Sequence, residues 1–367
     1  MEVKYYNINK EFLRSYKNFN KNFEEIKKTG NLLLGKNLIN FEIKLSKILG
    51  SKHILGVANG TDALELSLKS LNPPMNSEII TTSNTFVSTV NSIINVGCKP
   101  VFVDIDSSYN IDPNEIEKHI NKNTFAIIPV HLNGLPACMN KIRKISKKYN
   151  LHIVEDAAQS ILSKYDGKYI GNQKNLACFS MHPTKNLGVL GDGGFISTND
   201  TSLYNKLKIM RNHGLRNGNS IMVGRNSRLN EVNSIVASIR LEFLKKDTLI
   251  KQNIADYYTN NLTGEVVVPK NDCCRDNSHT YHRYVVRVPN RKKLVEYLKK
   301  NKIEVKIHYP KNIHQYKIFK KYLKKNTNLN NTLKFSNEIL SLPCNHFMTM
   351  KEVEFVVKKI NTFYGSS

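Results

Sequence analysis

Lys185 is the residue of this chain best placed by its neighbours for covalent chemistry. It sits in Ala-Cys-Phe-Ser-Met-His-Pro-Thr-Lys-Asn-Leu-Gly-Val-Leu-Gly-Asp-Gly-Gly-Phe-Ile-Ser-Thr, residues 177–198. One apolar run ends at Ser180, and a tight polar segment carries the lysine. A glycine-rich turn from Gly188 to Gly194 then leads into a second apolar run. The pattern predicts a loop between two strands. Most lysines in so basic a chain are solvated surface groups. Lys185 differs because glycines, a proline and small hydroxyls surround it, and such residues bring backbone close to a ligand rather than fill a core. A lysine held in a dry pocket can lose its proton and form a Schiff base with a carbonyl.

Some thirty residues upstream, Leu-His-Ile-Val-Glu-Asp-Ala-Ala-Gln (151–159) reads as a buried strand ending in acids. Asp156 and Gln159 fall at or just past its carboxyl end, where open parallel sheets bind ligands. An aspartate there, with a reactive lysine on a later loop, is what pyridoxal phosphate requires: the acid keeps the pyridine nitrogen protonated, and the ring becomes an electron sink.

The elements that must position these residues alternate strand and helix from 53 to 160, which predicts a mostly parallel sheet with crossover helices. No GxGxxG follows the first strand, and Lys185 precedes its glycines, so neither a dinucleotide fold nor a P-loop is indicated. After the strand His53–Val57, Asn59-Gly60-Thr61-Asp62 opens a helix. Free N–H groups at a helix start suit a phosphate, although most such starts merely cap a helix, and an inward-facing Asp62 would repel an anion. Strands are expected at Ile79–Thr82, Val101–Asp104, Phe125–Val130, His282–Pro289 and Ile303–Pro310. Helices are expected near 9–28, 37–50, 200–213, 229–246, 251–262, 294–300, 332–340 and 350–362. His131 reads equally well as a structural histidine or a chemical one.

These stretches resemble the DegT/DnrJ/EryC1/StrS family of pyridoxal-phosphate aminotransferases. The likeness runs in order from Leu34-Gly35 through Gly56–Leu68, Asn84–Thr89, Pro129–Pro136, Val154–Ser160 and Ser180–Gly194. It continues through Arg211–Gly214, Asn226–Leu229, Ile307–Pro310 and Leu342-Pro343. It implies an α/β, fold-type I aminotransferase: a large cofactor-binding domain over 1–245 with a mostly parallel central sheet, and a smaller C-terminal α+β domain over 246–367. The N-terminal segment belongs with either. By the resemblance, Lys185 holds the cofactor, Asp156 pairs with the pyridine nitrogen and Gln159 with the ring hydroxyl. Phe86 stacks on the ring, and Gly60, Thr61 and Ser180 hold the phosphate. Asn226 reaches the phosphate of a partner subunit, which implies a homodimer with shared sites. Tyr309, His308, Asn133 and Arg225 fall at substrate-side positions; asparagine at 133 and arginine at 225 replace the family's usual aromatics.

A dehydratase branch of the family carries histidine where Lys185 stands, so transamination is implied, passing through pyridoxamine phosphate, with glutamate the expected donor. Lys-Asn-Leu-Gly-x-x-Gly-Asp resembles members acting on 3-keto nucleotide sugars, for surface-glycan or modified-sugar biosynthesis. Asn133 and Arg225 together keep open a small phosphorylated ketone, such as a triose phosphate, giving an amino-polyol phosphate. A non-catalytic regulatory protein, or a nucleic-acid-binding one on the same fold, is the third reading.

Composition bounds these readings. A chain of 367 residues exceeds one core. With 40% hydrophobic and 23% charged residues it reads as globular. No apolar run approaches the ~18 residues that span a bilayer, and residues 1–10 lack an apolar signal region; the cytoplasm is the expected compartment. The formal charge of +25 comes from lysines spread along the chain. Without a basic block or aromatic-interleaved patch, it points to compositional bias and a field favouring anionic small substrates rather than to nucleic acid. The six cysteines include no CxxC, so reduced thiols and no metal site are expected.

Overall fold

The computed structural model describes residues 1–173, 175–270, 277–325 and 327–365. Helices α1 (Ile8–Thr29) and α2 (Lys36–Leu49) lead into the first strand. Seven strands then build one sheet: β1 (His53–Val57), β2 (Glu78–Thr82), β3 (Lys99–Val103), β4 (Thr124–Ile127), β5 (His152–Asp156), β6 (Leu176–Ser180) and β7 (Gly194–Thr198). Their order is β1-β7-β6-β5-β4-β2-β3. Five neighbours run parallel, and β7 alone is antiparallel, to both β1 and β6. The expected α/β class with a mostly parallel sheet is what the chain adopts.

Crossover helices α3 (Gly60–Ser70), α4 (Val87–Asn95), α5 (Met139–Lys148) and α6 (Thr201–Met210) flank the sheet. Their starts are set by short polar residues: Asn59 accepts from the Asp62 N–H at 2.8 Å, and Asp200 from the Leu203 N–H at 3.0 Å. One core packs Phe41, Leu45, Phe179 and Phe195 on one face of the sheet; a second packs Leu55, Leu66 and Cys178 on the other.

The two helices expected at 229–246 and 251–262 are a single 31-residue helix, α7 (Glu231–Asn261). Nothing between them breaks it: Asp247-Thr248-Leu249-Ile250 contains no glycine or proline, and the Thr248 hydroxyl donates to Leu244 O at 2.8 Å. The division expected after residue 245 therefore falls inside a continuous helix. The second half of α7 packs with β8 (Tyr284–Arg287), α8 (Arg291–Lys300), β9 (Ile339–Leu342) and α10 (Met350–Phe363) in a separate core that also takes Val3 from the N-terminal segment. Helix α9 (Asn330–Glu338) stops where β9 begins, two residues short of the expected end.

Residues 303–310 do not form the expected strand. Their ladder bonds are split between two neighbours, with Glu304 N donating to Val3 O and Lys306 N to Ser341 O, so only isolated bridges result. Cys98, Cys178 and Cys344 are free thiols, whereas Cys138 is in a disulfide, which corrects the expectation of reduced cysteines throughout. The expectation for Cys273 and Cys274 lies outside the described residues. Among the described residues, no helix is long and apolar enough to cross a membrane.

Candidate active site

A cavity of about 390 Å³ lies over the carboxyl ends of the parallel strands. Asp156 ends β5, and its carboxylate is fixed from two sides: Thr89 Oγ1 donates to Oδ2 at 2.7 Å and the Ala158 N–H to Oδ1 at 3.2 Å. Lys185 enters from the loop after β6. That loop is held by hydrogen bonds from Lys185 N to His182 O (2.8 Å) and from Met181 N to Gly193 O (2.7 Å). Gly188 is required here, since a Cβ would meet Pro183 O at 2.5 Å. Burial of the ammonium and the charge of Arg283 push the Lys185 pKa down to about 7, against the opposing pull of Asp156. Near neutral pH a large fraction of this amine is therefore unprotonated and able to act as nucleophile or base.

At the other end of the cavity, α3 begins. Asn59 occupies the Asp62 N–H with its side chain and the Ala63 N–H with its carbonyl, which leaves the first two residues, Gly60 and Thr61, at the cavity wall. Gly60 packs so closely on β6 that a Cβ would meet Ser180 Cβ at 2.8 Å. The hydroxyls of Thr61, Ser88 and Ser180 line the same wall, with Thr61 Oγ1 donating to Ser88 Oγ at 2.9 Å. Asp62 does not face inward: its carboxylate pairs with Arg225 at 3.1 Å, so the helix start keeps its positive end toward the cavity. Gln159 is oriented by its neighbours, its Oε1 accepting from the Asn133 N–H at 2.8 Å and its Nε2 donating to the Tyr309 hydroxyl at 3.3 Å.

The sequence profile of the DegT/DnrJ/EryC1/StrS aminotransferase family matches residues 14–361. The chain belongs to this family. It is 36% identical over 93% of its length to a "pleiotropic regulatory protein" of Geobacillus stearothermophilus, also covering 93% of that protein. It is 35% identical to the dTDP-3-amino-3,6-dideoxy-alpha-D-galactopyranose transaminase of Aneurinibacillus thermoaerophilus, covering 96% of each chain. The crystal structure of S. venezuelae DesV in complex with a ketimine intermediate superposes with a TM-score of 0.95 at 30% identity, over 99% of this chain and 98% of that one. Like other members of the aminotransferase family, the chain is a pyridoxal-phosphate-dependent transaminase. The donor set fits that group: a desolvated lysine, a doubly held aspartate, and a helix start whose glycine leaves room against Ser180.

Of the residues singled out in the sequence, one cavity gathers Lys185, Asp156 and Gln159, the three phosphate-side residues, and Phe86, His308 and Tyr309. Phe86 is 53% exposed in the single chain, 5.9 Å from the Tyr309 ring centroid. His308 Nδ1 meets Ser341 Oγ at 2.9 Å, and burial with the charges of Arg283 and Lys185 presses its pKa to about 3, so the ring is neutral. His131 is structural: it is fully buried, bonded to Glu155 Oε2 at 3.0 Å and accepting from the Ala137 N–H at 3.0 Å.

Three residues are not brought to this cavity within the chain. Asn133 adopts φ 58°, which sends its side chain to a small neighbouring cavity with Tyr109 and His279, and only its backbone serves the site, by orienting Gln159. Its side chain does not line the Lys185 cavity of its own chain. Arg225 is engaged by Asp62 and Glu65 on α3 rather than by the cavity of its own chain. Asn226 is exposed, in an isolated bridge with Asn212.

Sequence reasoning missed Thr89, Arg283, Tyr6 and the pair Asn186–Lys251. Asn186, next to the lysine, is pinned at both ends: Lys251 Nζ donates to its Oδ1 at 2.8 Å, and its Nδ2 donates to Thr280 O at 3.0 Å. None of the four carries a local signal, apart from Thr89 lying one turn into a helix that starts at the cavity.

Proposed function

We propose that this chain is a cytoplasmic homodimer that moves an amino group from an amino acid, with glutamate the expected donor, onto the keto group of a nucleotide-linked 3-keto sugar. The observation that carries the reading is Lys185, its ammonium pushed to about 7 in the same cavity as Asp156. When bound, pyridoxal phosphate supplies an electron sink for the carbon that changes its protonation. Asp156, held by Thr89 and Ala158, is the group to keep a proton on the pyridine nitrogen. Gln159 is positioned for the ring hydroxyl, and Gly60, Thr61 and Ser180 for the phosphate. Lys185 Nζ is the base that takes and returns the substrate proton, since a pKa near 7 suits both directions.

The sugar class is supported by the 3-amino sugar named in the Aneurinibacillus relative and by the Lys-Asn-Leu-Gly-x-x-Gly-Asp segment. The alternative of a small phosphorylated ketone rested on Asn133, which lines a neighbouring small cavity, and on Arg225, whose guanidinium pairs with Asp62 and Glu65 within the chain. Dimerisation is supported by two features. Asn226 is exposed and outside its own cavity, and beside its bridging partner Asn212 opens a groove of about 910 Å³ with exposed Ile39, Ile43 and Leu215 on its walls. A second copy would cover the groove and bring Asn226 to the partner's phosphate.

The test is single-turnover amine transfer followed by absorbance. The enzyme is loaded with amine from glutamate and then offered 3-keto nucleotide sugars and small keto phosphates separately. Return of the starting spectrum with a nucleotide sugar is expected. Return only with a keto phosphate would overturn the sugar assignment.

A further inference from the structure

Arg283 is a buried cation without a counterion among the described residues. It is 7% exposed and lies in the wall of the Lys185 cavity. Its Nη1 donates to the Tyr309 hydroxyl at 3.2 Å, its guanidinium lies 5.2 Å from the centroid of that ring, and its Nε has no partner. The groups around it are phenols, Tyr5, Tyr6 and Tyr309, the amines of Lys185 and Lys251, and the neutral ring of His308, and none of them supplies a negative charge at neutral pH. Among the described residues it forms no ion pair. Of the two carboxylates on the cavity wall, Asp156 is taken by Thr89 and Ala158 and Asp192 is exposed.

Arginine does not shed its proton inside proteins, so this charge cannot be removed as that of Lys185 can. Buried charges are ordinarily paired, because hydrogen bonds to neutral oxygens do not neutralise them. The cofactor phosphate is assigned to the α3 end of the cavity, with its own hydroxyls. A planar fork with an idle Nε matches a carboxylate, which it can grip at two points.

We propose that Arg283 binds a carboxylate of the substrate, and so selects carboxylated molecules at the Lys185 side of the cavity. The proposal rests on the transamination reading above and deepens it. Two sources share this chemistry: the amino acid donor, and a keto sugar that itself carries a carboxylate. A donor carboxylate at Arg283 would hold the amino-bearing carbon on the side of the cavity that Lys185 occupies.

The experiment uses the holoenzyme and two variants, Arg283→Gln and Arg283→Lys. Binding of glutarate, a dicarboxylate with no amino group to transfer, is read by calorimetry. A loss of about thirtyfold in Arg283→Gln is expected, with a smaller loss in Arg283→Lys, which keeps the charge but not the fork. Cofactor affinity should stay within about twofold. Half-reactions then separate the sources. A raised KM for glutamate with both acceptors unaffected assigns the donor; a raised KM for a carboxylated keto sugar alone assigns the acceptor. Glutarate binding unchanged in Arg283→Gln would overturn the proposal, as would an equal loss with a nucleotide-linked keto sugar that lacks a carboxylate or a loss confined to cofactor affinity. Wild-type enzyme that binds glutarate yet exchanges amine with no amino acid would sink the transamination reading and leave the carboxylate site standing.

Discussion

The Thr89 hydroxyl donates to Asp156 Oδ2 at 2.7 Å across 67 residues of sequence. Thr89 has one proton to give, so the 2.8 Å contact with Thr85 must run from Thr85 to Thr89, and the two hydroxyls form a polarised chain ending on the carboxylate. Thr89→Val keeps the volume and removes the donor. Cofactor affinity should fall about tenfold, the worth of one hydrogen bond to a charged group, while Thr89→Ser keeps most of it. Equilibrium titration of the cofactor-free variants decides; equal affinity in Thr89→Val would show that the chain does not orient Asp156.

Lys185 gives stability an unusual pH dependence. Its folded pKa, about 7, lies below its ordinary 10.5, with burial the main cause. Between those values the unfolded chain binds more protons than the folded one, so stability rises with pH across that window. Below pH 7 both states are protonated and the penalty of burying the ammonium is complete. Lys185→Met in cofactor-free enzyme should therefore exceed wild type by on the order of 2 kcal/mol at about pH 6, a figure reduced for solvent reaching the half-buried chain. The advantage should shrink toward pH 10. Urea unfolding at several pH values tests this, and a constant offset would contradict it.

How much of the site was legible depended on whether position followed from local backbone. Asp156 at a strand end, Lys185 before a glycine-rich turn and Gly60 at a helix start are each placed by neighbours a few residues away, and all three line the cavity. The placement of Asn133 was not legible, because it has a left-handed backbone at one residue, which the type asparagine permits but does not announce. The ion pairs of Arg225 could not be read locally, because Glu65 lies 160 residues away on α3. Arg283 reaches the cavity only through the packing of the C-terminal core on the sheet, so no spacing in Tyr-His-Arg-Tyr could reveal it. The two helices expected at 229–246 and 251–262 are joined in α7, whose two halves are buried in different cores, a tertiary arrangement that local sequence does not show.

Arg225 has a structural task that separates it from substrate binding. Its guanidinium joins Asp62 and Glu65, whose side chains are 8% and 7% exposed, while Asn95 Nδ2 donates to Glu65 at 2.7 Å. Arg225→Ala leaves two buried carboxylates with one neutral donor between them. The loss should be about 1–2 kcal/mol, limited because the arginine is 38% exposed. Chemical denaturation reads it, with acceptor KM expected within about twofold of wild type. A large KM change at unchanged stability would instead place Arg225 in a partner's site.

The N-terminal helix is fastened close to the lysine by charge. Glu11 accepts from Arg14 at 2.7 Å and meets His346 Nε2 at 2.8 Å, and Arg14 also grips Asp247 on α7 at 2.6 Å. Burial opposes ionisation of Glu11, but the bonds from His346 and Arg14 and the charge of Arg240 outweigh it and hold the carboxyl at about 2. A folded pKa below the ordinary 4.5 means that the contribution is complete above about pH 4.5 and is lost as pH falls through 2. Glu11→Gln should cost on the order of 2 kcal/mol near neutral pH, and the gap to wild type should close between about pH 4.5 and 2. Because Tyr6, five residues upstream, lines the Lys185 cavity, the same variant should also raise substrate KM with little change in kcat. Paired urea titrations across that pH range give the first readout. A gap that stays constant down to pH 2 would mean that Glu11 acts through packing and not through its charge.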